Sequence, residues 1–184
     1  ARLLTEGGIF AFGLSEKDHG ADLYSSEMML VPQPDGTYLA HGEKYYIGNG
    51  NKAALVSTFG KIDGTGEYVF FAVRTDHPQY ECVKKIDTSG VRQAYVAHFK
   101  LNDYPITEAD IISRGPLAWE SSLNTVNVGK FELGFASIGI CTHAFYEAIN
   151  HAAHRVLYGR LVTDFPHVRQ YFTQHVEVAS RRAQ

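Results

Sequence analysis

The residues of this chain whose types and spacing could do chemistry fall in two short segments and at one arginine. The first segment reads Phe12-Gly13-Leu14-Ser15-Glu16-Lys17-Asp18-His19-Gly20-Ala21-Asp22, and the second reads His41-Gly42-Glu43-Lys44-Tyr45-Tyr46-Ile47-Gly48-Asn49-Gly50. Glycines in such segments let a backbone approach a ligand closely. Arg155 could bind a phosphate bidentately through its planar guanidinium. No nucleophile–base pair stands out. The nine histidines include His151 and His154, spaced i, i+3, with His143 two turns earlier. No Glu/Asp–His pattern of a zinc hydrolase accompanies them, so the expectation is polar helix surface or hydrogen-bonded imidazole, and no metal.

Each feature also has a plain structural reading. Residues 15–22 could be an ordinary polar loop, Gly42-Glu43-Lys44 a hairpin turn, and Tyr46 a half-buried strand aromatic. Arg155 could be a solvated cation near a helix C-terminus, where positive charge is favourable.

Composition bounds what these segments can belong to. At 184 residues and 45% hydrophobic, the chain suits one globular domain or one domain plus part of another. A formal net charge of -3 gives no nucleic-acid or membrane footprint, and no apolar run approaches the length of a membrane span. Cys82 and Cys141 form no motif, which points to free thiols in a reducing compartment: the cytoplasm, or the mitochondrial matrix in a eukaryote. The chain opens on what reads as a helix tail closed by Gly7-Gly8 and stops inside an amphipathic pattern, so it is expected to be a segment of a longer protein.

The elements that must position the segments divide near residue 112. Short apolar runs at 9–12, 28–31, 38–40, 45–47, 54–59 and 68–73 are separated by turn clusters such as Pro34-Asp35-Gly36 and Asp63-Gly64-Thr65-Gly66. This pattern predicts an antiparallel barrel or sandwich. Farther on, Val128, Phe131, Phe135, Ile138, Phe145, Ile149, Ala152 and Val156 follow helical spacing, which predicts a long helix with one apolar stripe, stopped by Gly159. A second helix is predicted with Thr163 or Asp164 as its N-cap, Pro166 in its first turn and a stripe of Phe165, Val168, Phe172, Val176 and Ala179. Joined by a short loop, the two should pack antiparallel.

In their order and spacing the two segments resemble the flavin-binding core of the acyl-CoA dehydrogenase family. That family shows a strand ending in Thr/Ser-Glu, a Gly-rich loop ending in Asp, and a Gly-x-Lys-x-aromatic-Ile-x-Asn strand. The resemblance continues through Ile86-Asp87-Thr88-Ser89-Gly90-Val91, a strand end at Tyr104-Pro105, and Arg155-Val156-Leu157-Tyr158-Gly159, similar to an Arg-x-x-Phe-Gly signature. It implies an α+β fold: an antiparallel β-barrel-like middle domain over 1–112, then the first two helices of an incomplete C-terminal bundle over 113–184. It implies FAD, with Phe12, Leu14 and Ser15 along the flavin edge and Tyr46 over one face. Ile47 and Gly48 continue that strand beside the cofactor, and Gly20 and Ala21 let the backbone approach cofactor and thioester. Arg155 and Tyr158 would touch the flavin of a neighbouring subunit, and Lys130 a CoA phosphate.

The implied reaction is α,β-dehydrogenation of an acyl-CoA, with electron-transfer flavoprotein or another acceptor as partner and a homodimer or homotetramer as the working unit. The base would be a Glu beyond Gln184. Some members place it at the position matching Gly129, which has no carboxylate, and Glu132 lies nearly a turn away. Three departures from the pattern stand out: a charged loop with Ala21 in place of Ser, Gly48 in place of a hydroxyl residue, and a shortened loop after Val91. An acyl-CoA oxidase, a flavin monooxygenase, or a non-catalytic binding module on the same fold are the other implied readings.

Overall fold

The structure, a computed structural model, describes residues 2–182. It divides into two compact units, residues 1–125 and 126–184. The first opens with one helical turn, α1 (Arg2–Thr5). The Gly8 amide closes it by donating to the Leu3 carbonyl at 2.6 Å, with Gly7 in the left-handed region at φ 75°, as the sequence leads one to expect.

An eight-stranded sheet follows: β1 (Phe10–Gly13), β2 (Met29–Pro32), β3 (Tyr38–Gly48), β4 (Leu55–Ile62), β5 (Tyr68–Arg74), β6 (Tyr80–Lys85), β7 (Val96–Ile106) and β8 (Ile111–Arg114). The strand order is β6-β7-β3-β2-β4-β5-β8, with β1 paired to β4 off that path. Two pairings, β1–β4 and β2–β4, are parallel, which corrects the expectation of a purely antiparallel sheet. Among the described residues no pairing joins β6 to β8, so the sheet is not closed as a barrel. As anticipated, no helix falls within residues 40–100.

Strand β3 is a single strand where the sequence reads as two. Gly42 looks like a turn residue, yet the strand continues through it at φ 142°. A Cβ there would stand 3.0 Å from the Met28 Cα, so the close passage of β3 over residue 28 requires glycine. Register shifts between Ala40 and Gly42 and between Lys44 and Ile47 mark two bulges. Side chains from the inner phase of the strands build the core, among them Leu30, Ile47, Val56, Phe71, Phe99 and Leu101. Each buried Leu, Ile or Phe contributes roughly 1.5–3 kcal/mol relative to exposure. A second cluster gathers Phe59, Phe70 and Ala118, with Phe12, Leu14, Tyr68 and Trp119 packed on it.

Helix α2 (Pro116–His154) begins twelve residues before the predicted stripe, with Pro116 in the first position, where a missing N–H is harmless. Its part in the second unit is apolar on more than one side, because Leu133 and Ile140 lie opposite Phe131 and Phe135 and all four are exposed. The helix ends at His154, not at Gly159. Residues 156–161 instead form a two-stranded hairpin, β9 (Val156–Leu157) with β10 (Arg160–Leu161). Tyr158 and Gly159 occupy its tip at φ 52° and 73°, the geometry of the tight turn that favours such connections. Helix α3 (Pro166–Arg182) begins at Pro166. Asp164 is not its cap: the carboxylate accepts from the Leu161 amide at 3.2 Å across the preceding 3₁₀ turn. The rings of Phe145 and Phe172 meet edge to face at 5.7 Å, joining α2 to α3 across the hairpin. Ala179, the last residue of the predicted stripe, lies outside the described side chains.

Candidate cofactor site

The two polar segments meet at a buried ion pair. The Lys44 ammonium is 0% exposed and lies 2.7 Å from Glu16 Oε1, itself in a side chain only 6% exposed. Nζ also donates to the Leu14 carbonyl at 3.1 Å and to Ser26 Oγ at 3.3 Å. Glu16 accepts from the Ser26 hydroxyl at 2.6 Å and from the amides of Glu27 and Met28 at 2.7 and 3.2 Å. Burial raises the Glu16 pKa, but the Lys44 charge, the Glu27 amide and the Ser26 hydroxyl together lower it further, so it lies below the ordinary carboxylate value. Burial, only partly opposed by Glu16, lowers the Lys44 pKa to about 8. This pair closes the neck of an Ω-shaped loop, residues 17–25.

Ser15 and Tyr45 bond each other in both directions. The Tyr45 amide donates to the Ser15 carbonyl at 2.9 Å, and the Ser15 hydroxyl donates to the Tyr45 carbonyl at 3.1 Å. In this arrangement the Ser15 proton is directed at Tyr45, and its lone pairs remain for a ligand. The bulge after Lys44 sends the next two side chains outward before Ile47 returns to the core. Tyr46 adopts φ 66°, unusual for a bulky residue, and is 54% exposed. Gly48 is exposed, and a Cβ built on it, or on Gly20 at the loop tip, would meet nothing within 4 Å. Ala21 beside Gly20 is likewise exposed. A cleft of about 360 Å³ lies between the loop base and β3 and β7, lined by residues including Lys17, His19, His41, Glu43 and Lys100.

The other sequence-predicted residues divide into three groups. Ile47 is 2% exposed in the main core, so it can offer only backbone. Phe12 and Leu14 are half-buried against the second cluster, beside Trp119. Lys130, Arg155 and Tyr158 belong to the second unit, where Lys130 and Arg155 are exposed and Tyr158 is 86% exposed at the hairpin tip. Sequence reasoning gave Glu16 and Lys44 no role. One signal could have found Lys44: Ala40, Gly42 and Lys44 share the alternating phase of β3 that Ala40 carries into the core.

The profile of the acyl-CoA dehydrogenase middle domain matches residues 11–104, just over half of the 184 residues and both polar segments. The chain belongs to the acyl-CoA dehydrogenase family. The short-chain specific acyl-CoA dehydrogenase of Megasphaera elsdenii is 23% identical over 158 residues, covering 84% of this chain and 41% of that protein. The butyryl-CoA dehydrogenase structure from the same organism superposes at a TM-score of 0.89, with 21% identity, over 97% of this chain and 48% of that one. The glutaryl-CoA dehydrogenase of Mycobacterium smegmatis, solved in complex with FADH2, superposes at 0.86, with 18% identity, over 98% and 46%. The chain thus spans about two-fifths of the length of the curated acyl-CoA dehydrogenase relatives it matches.

The residues present fit a flavin of the kind this family carries. Tyr46 offers an exposed aromatic face, and Gly48 and Gly20 leave open space against the backbone where a side chain would intrude. Among the described residues no group of three or more His, Cys, Asp or Glu could hold a metal, and no helix is long and apolar enough to cross a membrane.

Proposed function

We propose that this chain is the flavin- and substrate-binding part of an FAD-dependent acyl-CoA dehydrogenase, an oxidoreductase acting on a CH–CH bond of acyl-CoA thioesters. One observation carries the reading: the family match spans both polar segments, and Ser15 and Tyr45 bond those segments into one edge beside the outward-facing Tyr46 and Gly48. Residues 1–112 supply the middle domain in this reading, and 113–184 the first two helices of the helical domain.

A flavin held at this edge would supply the hydride acceptor for the β-hydrogen, and the working enzyme would need an electron-transfer flavoprotein or another acceptor as partner. The chain's own residues bind and orient. Tyr46 covers one ring face, and Leu14, Ser15 and the backbone at Ile47–Gly48 line the ring edge. Phe12 backs the strand that leads into that edge. Gly20 and Ala21 let the loop backbone approach the thioester, and Lys130 meets a CoA phosphate. Arg155, seated beside the hairpin whose tip is Tyr158, reaches the cofactor of a neighbouring subunit, so the working unit is an oligomer. The α-proton is taken by a glutamate beyond Gln184, since Gly129 offers no carboxylate.

The test is direct. Full-length protein should purify yellow and bleach when an acyl-CoA is added without oxygen. A colourless protein that takes up no FAD, or a yellow one that no acyl-CoA bleaches, overturns the reading.

A further inference from the structure

We propose that Lys44 is a positioning residue for the cofactor site: its ammonium fastens the neck of the 17–25 loop and the outward step of β3 to one point, fixing Gly20–Ala21 and Tyr46 relative to each other. The inference rests on the flavin reading above.

The geometry assigns this role and excludes a direct one. Lys44 is fully buried, so it does not touch a ligand at the surface. All three of its N–H groups are engaged, each by a different part of the loop frame: Leu14 before it, Glu16 at its entry and Ser26 at its exit. The same lysine sits directly before Tyr45, which clasps Ser15 through two hydrogen bonds, and before the bulge that turns Tyr46 outward at φ 66°. One buried cation therefore touches every segment that carries a proposed contact from the first unit's loop and edge. Stability alone does not account for it. A buried ion pair is commonly no more stabilising than well-packed apolar residues of the same volume. What an apolar pair lacks is direction, because three engaged donors specify where the 14–16 segment and Ser26 must sit against β3.

The experiment uses the full-length flavoprotein and the neutral double variant Glu16→Gln/Lys44→Met, which leaves no unpaired buried charge. Three readings are taken: FAD dissociation constant, visible circular dichroism of the bound flavin, and amide hydrogen exchange. Expected are about tenfold weaker FAD binding, an altered flavin dichroism, and about tenfold faster exchange at Tyr45 and across residues 17–25. Exchange at Val56 and Phe71 in the β4–β5 core should stay slow, which separates loosened positioning from unfolding. If those core amides also lose protection, Ser26→Ala serves instead, removing one tie and leaving the ion pair. It should speed exchange over 17–25 by about threefold. Parent-like FAD affinity and dichroism in the double variant, or unchanged exchange at Tyr45 in a folded variant, overturns the proposal. A parent protein that binds no FAD overturns the flavin reading itself, and is recognised before any variant is made.

Discussion

Replacing Glu16 by glutamine should expose the energetics of the Lys44 site through an unusual pH dependence. Glutamine keeps an acceptor oxygen but removes the charge that Lys44 faces at 2.7 Å, in a place with no exposed surface. Two routes bound the cost. Breaking a buried pair by removing one partner costs about 3–5 kcal/mol. Alternatively, Lys44 sheds its proton. At pH 7 that means crossing the gap to its ordinary value of 10.5, at about 1.4 kcal/mol per unit, or roughly 5 kcal/mol. Both routes give a loss of about 3–5 kcal/mol near neutrality.

The parent and the variant then differ in slope. In the parent, Lys44 releases its proton at about 8 and Glu16 titrates below 4.5, so neither changes its charge between about pH 6 and pH 7.5. The Glu16 contribution is lost only as acid carries the pH down through its lowered folded value. By the second route, folded Lys44 in the variant is neutral while unfolded Lys44 holds its proton. The unfolded state binds more protons, so stability climbs with pH, by roughly 2 kcal/mol across that same window. Urea denaturation of the full-length protein at the two ends of the window measures both quantities. A loss under about 1 kcal/mol would refute the buried pair, while a larger loss with parallel slopes would mean that Lys44 keeps its charge in the variant.

Three further outcomes follow from the same structure. Gly60→Ala should destabilise by about 1–3 kcal/mol in thermal or urea unfolding, because its Cβ would stand 2.7 Å from the Met28 carbonyl oxygen; a neutral result would mean β4 does not run against residue 28. Tyr46→Ala should lower the flavin-to-protein absorbance ratio after gel filtration while leaving the melting temperature of apo-protein within a few degrees, and an unchanged ratio counts against Tyr46 as the ring cover. Arg155→Ala should lose flavin on dilution with its fold intact, at about 1.5–3 kcal/mol for a charge-assisted phosphate contact; flavin held as tightly as in the parent, or a parent that is a holo-monomer by light scattering, removes the cross-subunit site.

What could be read from the sequence depended on whether local pattern and local structure agreed. Strands β1, β2, β4 and β5 announced themselves because turn chemistry bounded short apolar runs. Strand β6 did not: only Tyr80 of its six residues is buried, so no alternation marks it. Gly42 and Gly159 misled for one reason. Each was read as punctuation by residue type, while Gly42 serves a close strand crossing and Gly159 a hairpin tip. In the site, Ser15 and Tyr46 were legible as motif members. Glu16 and Lys44 are motif positions too, but their contact was not legible, because charges 28 residues apart look like two solvated side chains until a third element, the Ser26–Met28 segment, closes over them.

The parallel pairing of β1 with β4 also sets a schedule for synthesis. Gly13 is held by its register partner in β4, Thr58, whose hydroxyl donates to the Gly13 carbonyl at 2.8 Å, and β3 takes its other edge from β7, which ends at Ile106. A nascent chain growing at roughly 5–20 residues per second therefore carries the 17–25 loop unanchored for on the order of ten seconds after it leaves the ribosome. During that interval the loop presents Lys17 as an open tryptic site, whereas the finished fold ties its neck shut. Translational pauses between the emergence of this loop and the emergence of Ile106 would lengthen this vulnerable period.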